Sequence, residues 1–277
     1  MAEPAHPGTL YVVATPIGNL GDISLRAIEV LRAVPLVAAE DTRLARRLWA
    51  RHDIETRLTS FHAQSPPRRL EELLDHLRGG ADLALVTDAG TPLVSDPGAD
   101  LVATWTGQGG TVVPVPGPSA VLAALVGSGL SAARWSFEGF LPRKGRQRRE
   151  RLARIAADER ASVLFESPNR AAATLSDLAQ ACGTDRRAAL ARELTKLHEE
   201  FWRGTLAELA ARAAAEQVRG EVTLVIAGAP EPEGPTMTLD EARAEVARLV
   251  AGGTSRSQAA REVAANSGLP RRELFGR

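Results

Sequence analysis

The sequence predicts an α/β protein: two α/β domains and a small carboxyl-terminal helical segment. Three observations carry this reading. Short apolar runs alternate with amphipathic stretches over residues 9–117, the pattern of a mainly parallel sheet covered by helices on both faces. A less regular alternation over 118–229 implies a second, mixed sheet. The break Pro230-Glu231-Pro232-Glu233-Gly234-Pro235 then separates residues 230–277, a linker followed by helices.

Residues 1–8 hold two prolines and little to pack, and read as a flexible tail. In the first domain, strands are predicted near Leu10, Leu36, Leu83 and Val112, with helices over 24–34, 41–51, 67–78 and 99–108. Asp22 or Ser24 supplies the cap of the first helix. The second domain opens with a helix over 121–129 and has strands over 135–140, 163–166, 188–192, 201–204 and 222–227. The four tryptophans, Trp49, Trp105, Trp135 and Trp202, read as core or interface packing. In the last segment, a helix over 239–250, a shorter one within 254–264 and a third starting at Pro270 resemble a helix-turn-helix. Without contacts to nucleic acid, the same pattern is a helical hairpin.

Three strand-to-helix connections are built from turn residues. After the strand at Leu83 comes Thr87-Asp88-Ala89-Gly90-Thr91-Pro92-Leu93-Val94-Ser95-Asp96-Pro97-Gly98, twelve residues of turn chemistry at the carboxyl end of a strand. In open α/β sheets ligands sit there. Thr15-Pro16-Ile17-Gly18-Asn19-Leu20-Gly21-Asp22 and Pro116-Gly117-Pro118-Ser119-Ala120 follow two other strands, so the three loops meet on one edge. Neither Gly-x-x-x-x-Gly-Lys-Ser/Thr nor Gly-x-Gly-x-x-Gly occurs, which sets aside the usual phosphate cradles.

Composition bounds the function. A single cysteine, Cys182, excludes a disulfide framework and a cysteine-rich metal site, and points to a reducing cytoplasm. The five histidines lack ligand spacing, so no metal is expected. Charged residues interrupt every apolar run, so no membrane span is expected. The net charge is zero, yet Arg143, Lys144, Arg146, Arg148, Arg149, Arg151 and Arg154 fall within twelve residues, opposed only by Glu150. Such a run is either a solvated helix face or a phosphate-binding surface. With four Trp, one Tyr and six Phe in the chain, an extended base-stacking platform is not expected.

These loops carry a family resemblance. With Ala39-Glu40-Asp41-Thr42-Arg43, Ser60-Phe61-His62, Gly139-Phe140-Leu141-Pro142-Arg143-Lys144, Phe165-Glu166-Ser167-Pro168-Asn169-Arg170, Ala191-Arg192-Glu193-Leu194-Thr195-Lys196 and the stretch 220–228, the chain resembles class III S-adenosylmethionine-dependent methyltransferases of the tetrapyrrole-methylase type. Within them it is similar to the bacterial 16S ribosomal RNA cytidine 2′-O-methyltransferases. It departs from that pattern at Asn169, where His is usual, and at Ala63-Gln64-Ser65.

The resemblance implies a cofactor cleft between the two α/β domains, with S-adenosyl-L-methionine held around Pro16, Gly18, Asp88, Ala89, Gly90, Thr91, Val94, Ser119, Ala120, Phe165 and Ala191. It implies a homodimer in the cytoplasm that methylates a decoding-centre cytidine of 16S rRNA in the small ribosomal subunit. Arg143, Lys144, Arg146, Arg148 and Arg149 are the candidate RNA contacts, joined by Arg256, Arg271 and Arg272 if the last segment binds RNA. A ribose hydroxyl is a poor nucleophile, so a base or orienting group is needed. Glu193, Lys196, Glu40 and Arg43 are the leading candidates, with Asp41, Glu199 and His62 behind them. The competing reading of the same residues is an ion-pair network tying the domains together. Two other functions share much of the pattern: a tetrapyrrole-precursor methyltransferase and a non-catalytic ribosome-assembly protein that binds RNA.

Overall fold

The computed structural model describes residues 7–131, 133–230 and 237–274, and the chain divides into two compact units between Ala229 and Pro230. Most of the expected tail, and linker residues 231–236, lie outside the described residues. Gly8 does not belong to a loose tail: it is buried and its amide donates to Leu77 O at 2.8 Å.

The first sheet comprises β1 (Thr9–Val13), β2 (Leu36–Ala39), β3 (Arg57–Ser60), β4 (Leu83–Val86) and β5 (Thr111–Val115), in the order β3-β2-β4-β1-β5 with every pairing parallel. Side chains of a strand alternate between faces, and the cores divide accordingly. Leu10, Ala38, Leu83 and Leu85 pack under α3 (Pro67–Arg78) and α4 (Ala99–Gly107). Val13, Val37, Ala39, Ala84 and Val86 pack under α1 (Leu25–Ala33) and α2 (Thr42–Arg51). Ser24 caps α1 through the Ala27 amide, and Asp41 caps α2 through the Arg43 amide. Strand β3 is not apparent in the sequence. Its Arg-Leu-Thr-Ser lies on the sheet edge, paired only to β2 and never fully buried, so it carries no apolar run.

The second sheet comprises β6 (Trp135–Phe140), β7 (Ala161–Glu166), β8 (Arg187–Arg192), β9 (Glu200–Thr205) and β10 (Val222–Ile226), in the order β6-β7-β10-β8-β9. Only β6 and β7 run parallel; the other three pairings are antiparallel, the mixed sheet expected. One face, with Leu164, Leu190 and Leu224, is covered by α6 (Arg146–Ala157), α7 (Pro168–Cys182) and α8 (Leu206–Ala215). The other, with Val163, Ala189 and Val225, meets α5 (Ala120–Gly127) and, from loops of the first sheet, Ile17 and Val94. Trp49, Trp105 and Trp202 are buried as expected, but Trp135, at an edge strand's start, is 38% exposed.

The second unit holds α9 (Leu239–Ala251), α10 (Arg256–Ser267) and α11 (Arg271–Leu274) around Ala242, Val246, Ala260, Val263 and Leu274. Ser255 caps α10 and Gly268 closes it in the left-handed conformation. The third helix begins at Arg271, just after the expected Pro270, and is described over Arg271–Leu274, the last of the described residues. Among the described residues, no helix is long and apolar enough to cross a membrane.

Candidate functional site

The carboxyl ends of β1, β4 and β5 bring the three turn-rich loops together. Thr15 and Gly90 exchange backbone hydrogen bonds of 2.8 and 3.0 Å, Thr15 Oγ1 donates to Thr87 O at 3.1 Å, and Thr91 Oγ1 reaches Pro118 O at 3.4 Å. Gly90 is required by its φ of +80° and by closeness: a β-carbon there would lie 3.3 Å from Ile17 Cγ2.

These loops face the second sheet across a cavity of about 390 Å³, within the range of small-molecule sites. Of the residues proposed for the methyl donor, Ala89, Gly90, Thr91, Val94, Ser119, Ala120 and Phe165 line it. Pro16, Gly18, Asp88 and Ala191 do not; Ala191 is a buried core residue of β8, its side chain spent on packing. Sequence reasoning did not place the opposite wall, Glu166 with Gly220 to Thr223, among the donor contacts, nor Asp96, although Asp96 lies in the turn-rich loop it singled out. The Glu166 carboxylate is buried but satisfied, accepting the Ser167 amide at 2.8 Å and the Thr174 hydroxyl at 2.7 Å.

Carboxylates gather where β2 and β4 end. Asp88 Oδ1 accepts the Asp41 amide at 2.9 Å, and the Asp88 amide points at Glu40 Oε2 at 3.4 Å. Partial burial raises the pKa of Glu40 and of Asp88 above ordinary carboxylate values, each helped by neighbouring negative charge. Asp96 is pushed up further, to about 6, chiefly by burial, with Glu40 and Asp88 adding repulsion. Asp41 goes the other way, to about 2, because the Arg43 guanidinium holds its carboxylate at 2.6 Å. Arg43 is thereby tied down at the surface, outside the cavity lining.

The loop after β8 gathers a second set of candidates. Lys196 Nζ lies 3.0 Å from Glu193 Oε1 and 3.1 Å from Glu221 Oε2. Glu193 also accepts the Glu221 amide at 3.0 Å, which keeps its pKa low; despite desolvation, the two carboxylates keep the Lys196 pKa raised. The two carboxylates thus favour the charged form of Lys196. Its stem lies against the β1 loop, since a β-carbon at Gly18 would stand 2.5 Å from Lys196 Cγ. The arrangement is the ion-pair network anticipated as the competing reading, and neither Glu193 nor Lys196 lines the cavity.

The basic run resolves residue by residue. Arg143, Lys144 and Arg149 are exposed, and Arg146 is paired to Glu150 at 2.6 Å on the surface of α6. Arg148 corrects its RNA-contact assignment. Its side chain is 10% exposed, and it donates to Asp177 Oδ2 at 2.8 Å, Pro142 O at 3.0 Å and Thr174 Oγ1 at 3.0 Å. All three guanidinium nitrogens are spent inside the fold. In the second unit, Arg272 is exposed and Arg271 is bonded to Ser257 at its hydroxyl (2.7 Å) and its carbonyl (3.3 Å).

A family model described as Tetrapyrrole (Corrin/Porphyrin) Methylases matches residues 9–210. A protein of Synechocystis sp. named ribosomal RNA small subunit methyltransferase I is 47% identical over 268 residues, covering 97% of this chain and 96% of its own length. Proteins of the same name from Micromonospora olivasterospora and Bacillus subtilis are 51% and 38% identical, over 90% and 97% of this chain and 78% and 93% of theirs. Among solved structures, a cobalt precorrin-4 methyltransferase superposes with a TM-score of 0.63 at 18% identity, over 84% of this chain and 99% of that one. A uroporphyrin-III C-methyltransferase from Thermus thermophilus, complexed with S-adenosylhomocysteine, superposes with a TM-score of 0.59 at 20% identity, over 79% of this chain and 97% of that one. These two share the fold.

Proposed function

Because this chain belongs to the tetrapyrrole methylase family, we propose that it is an S-adenosylmethionine-dependent methyltransferase of ribosomal RNA, acting on a cytidine 2′-hydroxyl in the decoding centre of the small subunit. The observation that carries this reading is the name shared by relatives 38–51% identical along nearly the whole chain. The exposed basic side chains Arg143, Lys144 and Arg149 are suited to neutralising the phosphates of an RNA.

The cavity suits the methyl donor. It is apolar along Ile17, Val94, Val121 and Phe165, and ends in polar groups at Thr91, Ser119 and Glu166. S-adenosylmethionine supplies, when bound, a methyl group already activated on a sulfonium. The protein's own task is positioning: the Gly90 backbone forms part of one wall of the cavity, and Phe140 and Phe165, their rings in contact, line it as well. Holding two reactants in line removes on the order of 7–11 kcal/mol from a bimolecular barrier.

Residues 9–117 and 118–229 act as the two walls of the site, and residues 237–274 as an accessory RNA-binding unit using Arg256, Arg271 and Arg272. The chain works in the cytoplasm as a homodimer. Two side chains on α5, Leu122 at 51% and Val126 at 83% exposure, present an apolar surface suited to a partner subunit.

The test has two steps. Calorimetric titration of the purified protein with S-adenosylmethionine should show binding, and labelled methyl should then pass to undermethylated small ribosomal subunits but not to a porphyrinoid. Transfer to the porphyrinoid alone would overturn the RNA assignment. Binding of RNA without any methyl transfer would make the protein an assembly factor.

A further inference from the structure

Helix α2 carries its charge differently from α3, α8 and α9. Its sequence, Thr-Arg-Leu-Ala-Arg-Arg-Leu-Trp-Ala-Arg, holds four arginines and no acidic residue. At 3.6 residues per turn, Arg43, Arg46, Arg47 and Arg51 fall within an arc of about 140° on one side, while Leu48 and Trp49 turn to the core. All four arginines are exposed. Arg43 is held by Asp41, but Arg46, Arg47 and Arg51 have no hydrogen bond or ion pair among the described residues. On the other helices the charges are balanced within the fold: Arg68 and Arg69 by Glu72, Arg78 by Asp75, Arg212 by Glu216 and Arg248 by Glu245.

Such a stripe costs stability. Arg43 with Arg47, and Arg47 with Arg51, stand four residues apart, the spacing at which like charges on a helix repel. Arg43 also lies in the first turn, where the helix dipole favours negative charge, and Asp41 answers that one cation only. Asp53 and Glu55, just beyond the helix, form no ion pair with the other three. Anions from outside the chain would offset this repulsion. From Arg43 to Arg51 the row extends about 12 Å, which matches a chain of anions better than one small ion. Guanidinium groups suit phosphate in particular, because their planar fork meets two of its oxygens at once.

The start of the helix ties this row to the donor cavity. The Asp41 amide donates to Asp88 Oδ1 at 2.9 Å, and Asp88 is followed by Ala89 and Gly90, which line the cavity. Because β2 and β3 run parallel, α2 returns along the sheet away from that edge. The row of arginines therefore leads from the neighbourhood of the cavity outward over the first sheet. Resting on the proposed function, we infer that α2 is a phosphate-binding track: Arg46, Arg47 and Arg51 hold the backbone of the RNA strand that continues from the target nucleotide. It is separate from Arg143, Lys144 and Arg149, which stand after β6 and on α6.

The experiment uses the full chain with Arg46→Ala, Arg47→Ala and Arg51→Ala combined. Affinity for undermethylated small subunits should fall at least about tenfold at about 0.1 M salt, and the slope of log affinity against log salt should drop by about 3. The same change of charge on α3, Arg68→Ala, Arg69→Ala and Arg78→Ala combined, should leave the slope in place, because those arginines are paired within the helix. In the α2 variant, calorimetric affinity for S-adenosylmethionine should stay within about threefold, and the rate at saturating subunits should approach wild type, so that the loss falls on KM and not on kcat. Thermal melts should be unchanged or raised, since repulsion has been removed. Wild-type affinity and slope in the α2 variant, or equal losses in both variants, would overturn this inference alone. Weakened binding to subunits with wild-type binding to protein-free 16S rRNA would overturn it in favour of a ribosomal protein as the partner. A wild-type chain that neither binds nor methylates small subunits would overturn the proposed function, and this inference with it.

Discussion

Glu193 and Lys196 are bound to each other, Oε1 to Nζ at 3.0 Å, and the same Glu193 oxygen accepts the Glu221 amide. Both groups are thus satisfied within the protein. Lys196→Met and Glu193→Gln should each lower stability by about 1 kcal/mol, while the single-turnover rate per folded, cofactor-loaded molecule is preserved. The Glu193 pKa is depressed, so its contribution is present above the usual glutamate range and fades as the pH falls through the lowered value. Thermal melts at pH 7 and pH 3.5 beside single-turnover rates check this; a rate loss without a stability loss would restore these residues to catalysis.

Gly90→Val should abolish measurable S-adenosylmethionine binding, a loss of at least about 100-fold. A branched side chain cannot take the φ of +80° without strain, and its β-carbon would crowd Ile17. Circular dichroism should still report a folded chain. Calorimetric titration at wild-type affinity would remove this loop from the donor site.

The basic stretch divides into two experiments. Replacing Arg143, Lys144 and Arg149 together by Ala should weaken RNA binding and reduce the slope of log affinity against log salt by about 3, roughly one per lost phosphate contact. Cofactor affinity should not change. Arg148→Ala should instead cost about 2–3 kcal/mol of stability, because Asp177, Thr174 and Pro142 O lose a shared donor. Denaturant melts and filter binding across a salt series separate the two.

Asp96→Asn should stabilise the protein at neutral pH. The folded-state pKa, about 6, lies above the ordinary 3.8, so the folded chain binds the extra proton between those values. The cost of ionising Asp96 is absent below about pH 4, grows as pH rises and stands in full above 6. Allowing for solvent screening, the gain is about 1 kcal/mol, or about 2–4 °C at pH 7.5, vanishing near pH 4. Differential scanning calorimetry at the two pH values reads it; equal melting curves at both would show that the carboxylate carries no such cost.

The sequence announces what local chemistry controls. Turn residues after β1, β4 and β5 give away the loops, and Ser24 and Asp41 give away helix starts, because each acts within a few positions of itself. Strand β3 stays hidden because an edge strand needs no apolar run. Arg148 looks like its basic neighbours, since nothing in the helix spells out that Asp177 and Thr174, on α7, will meet it. Asp96 sits inside the loop singled out by its composition, yet part of the negative charge that acts on it comes from Glu40, more than fifty residues earlier.

The strand orders carry a consequence for synthesis. β1, made first, is an interior strand whose partners are β4 and β5, so one of its edges stays unpaired until Thr111 to Val115 have been added. At usual elongation rates that wait is roughly 5–20 s. β10, made last of the ten, slots between β7 and β8. The nascent chain therefore carries one strand waiting for neighbours and later one gap waiting for a strand. A chain halted before Val222 leaves β8 and β9 as a hairpin severed from β7, with an open flank ready to capture the β10 of another molecule.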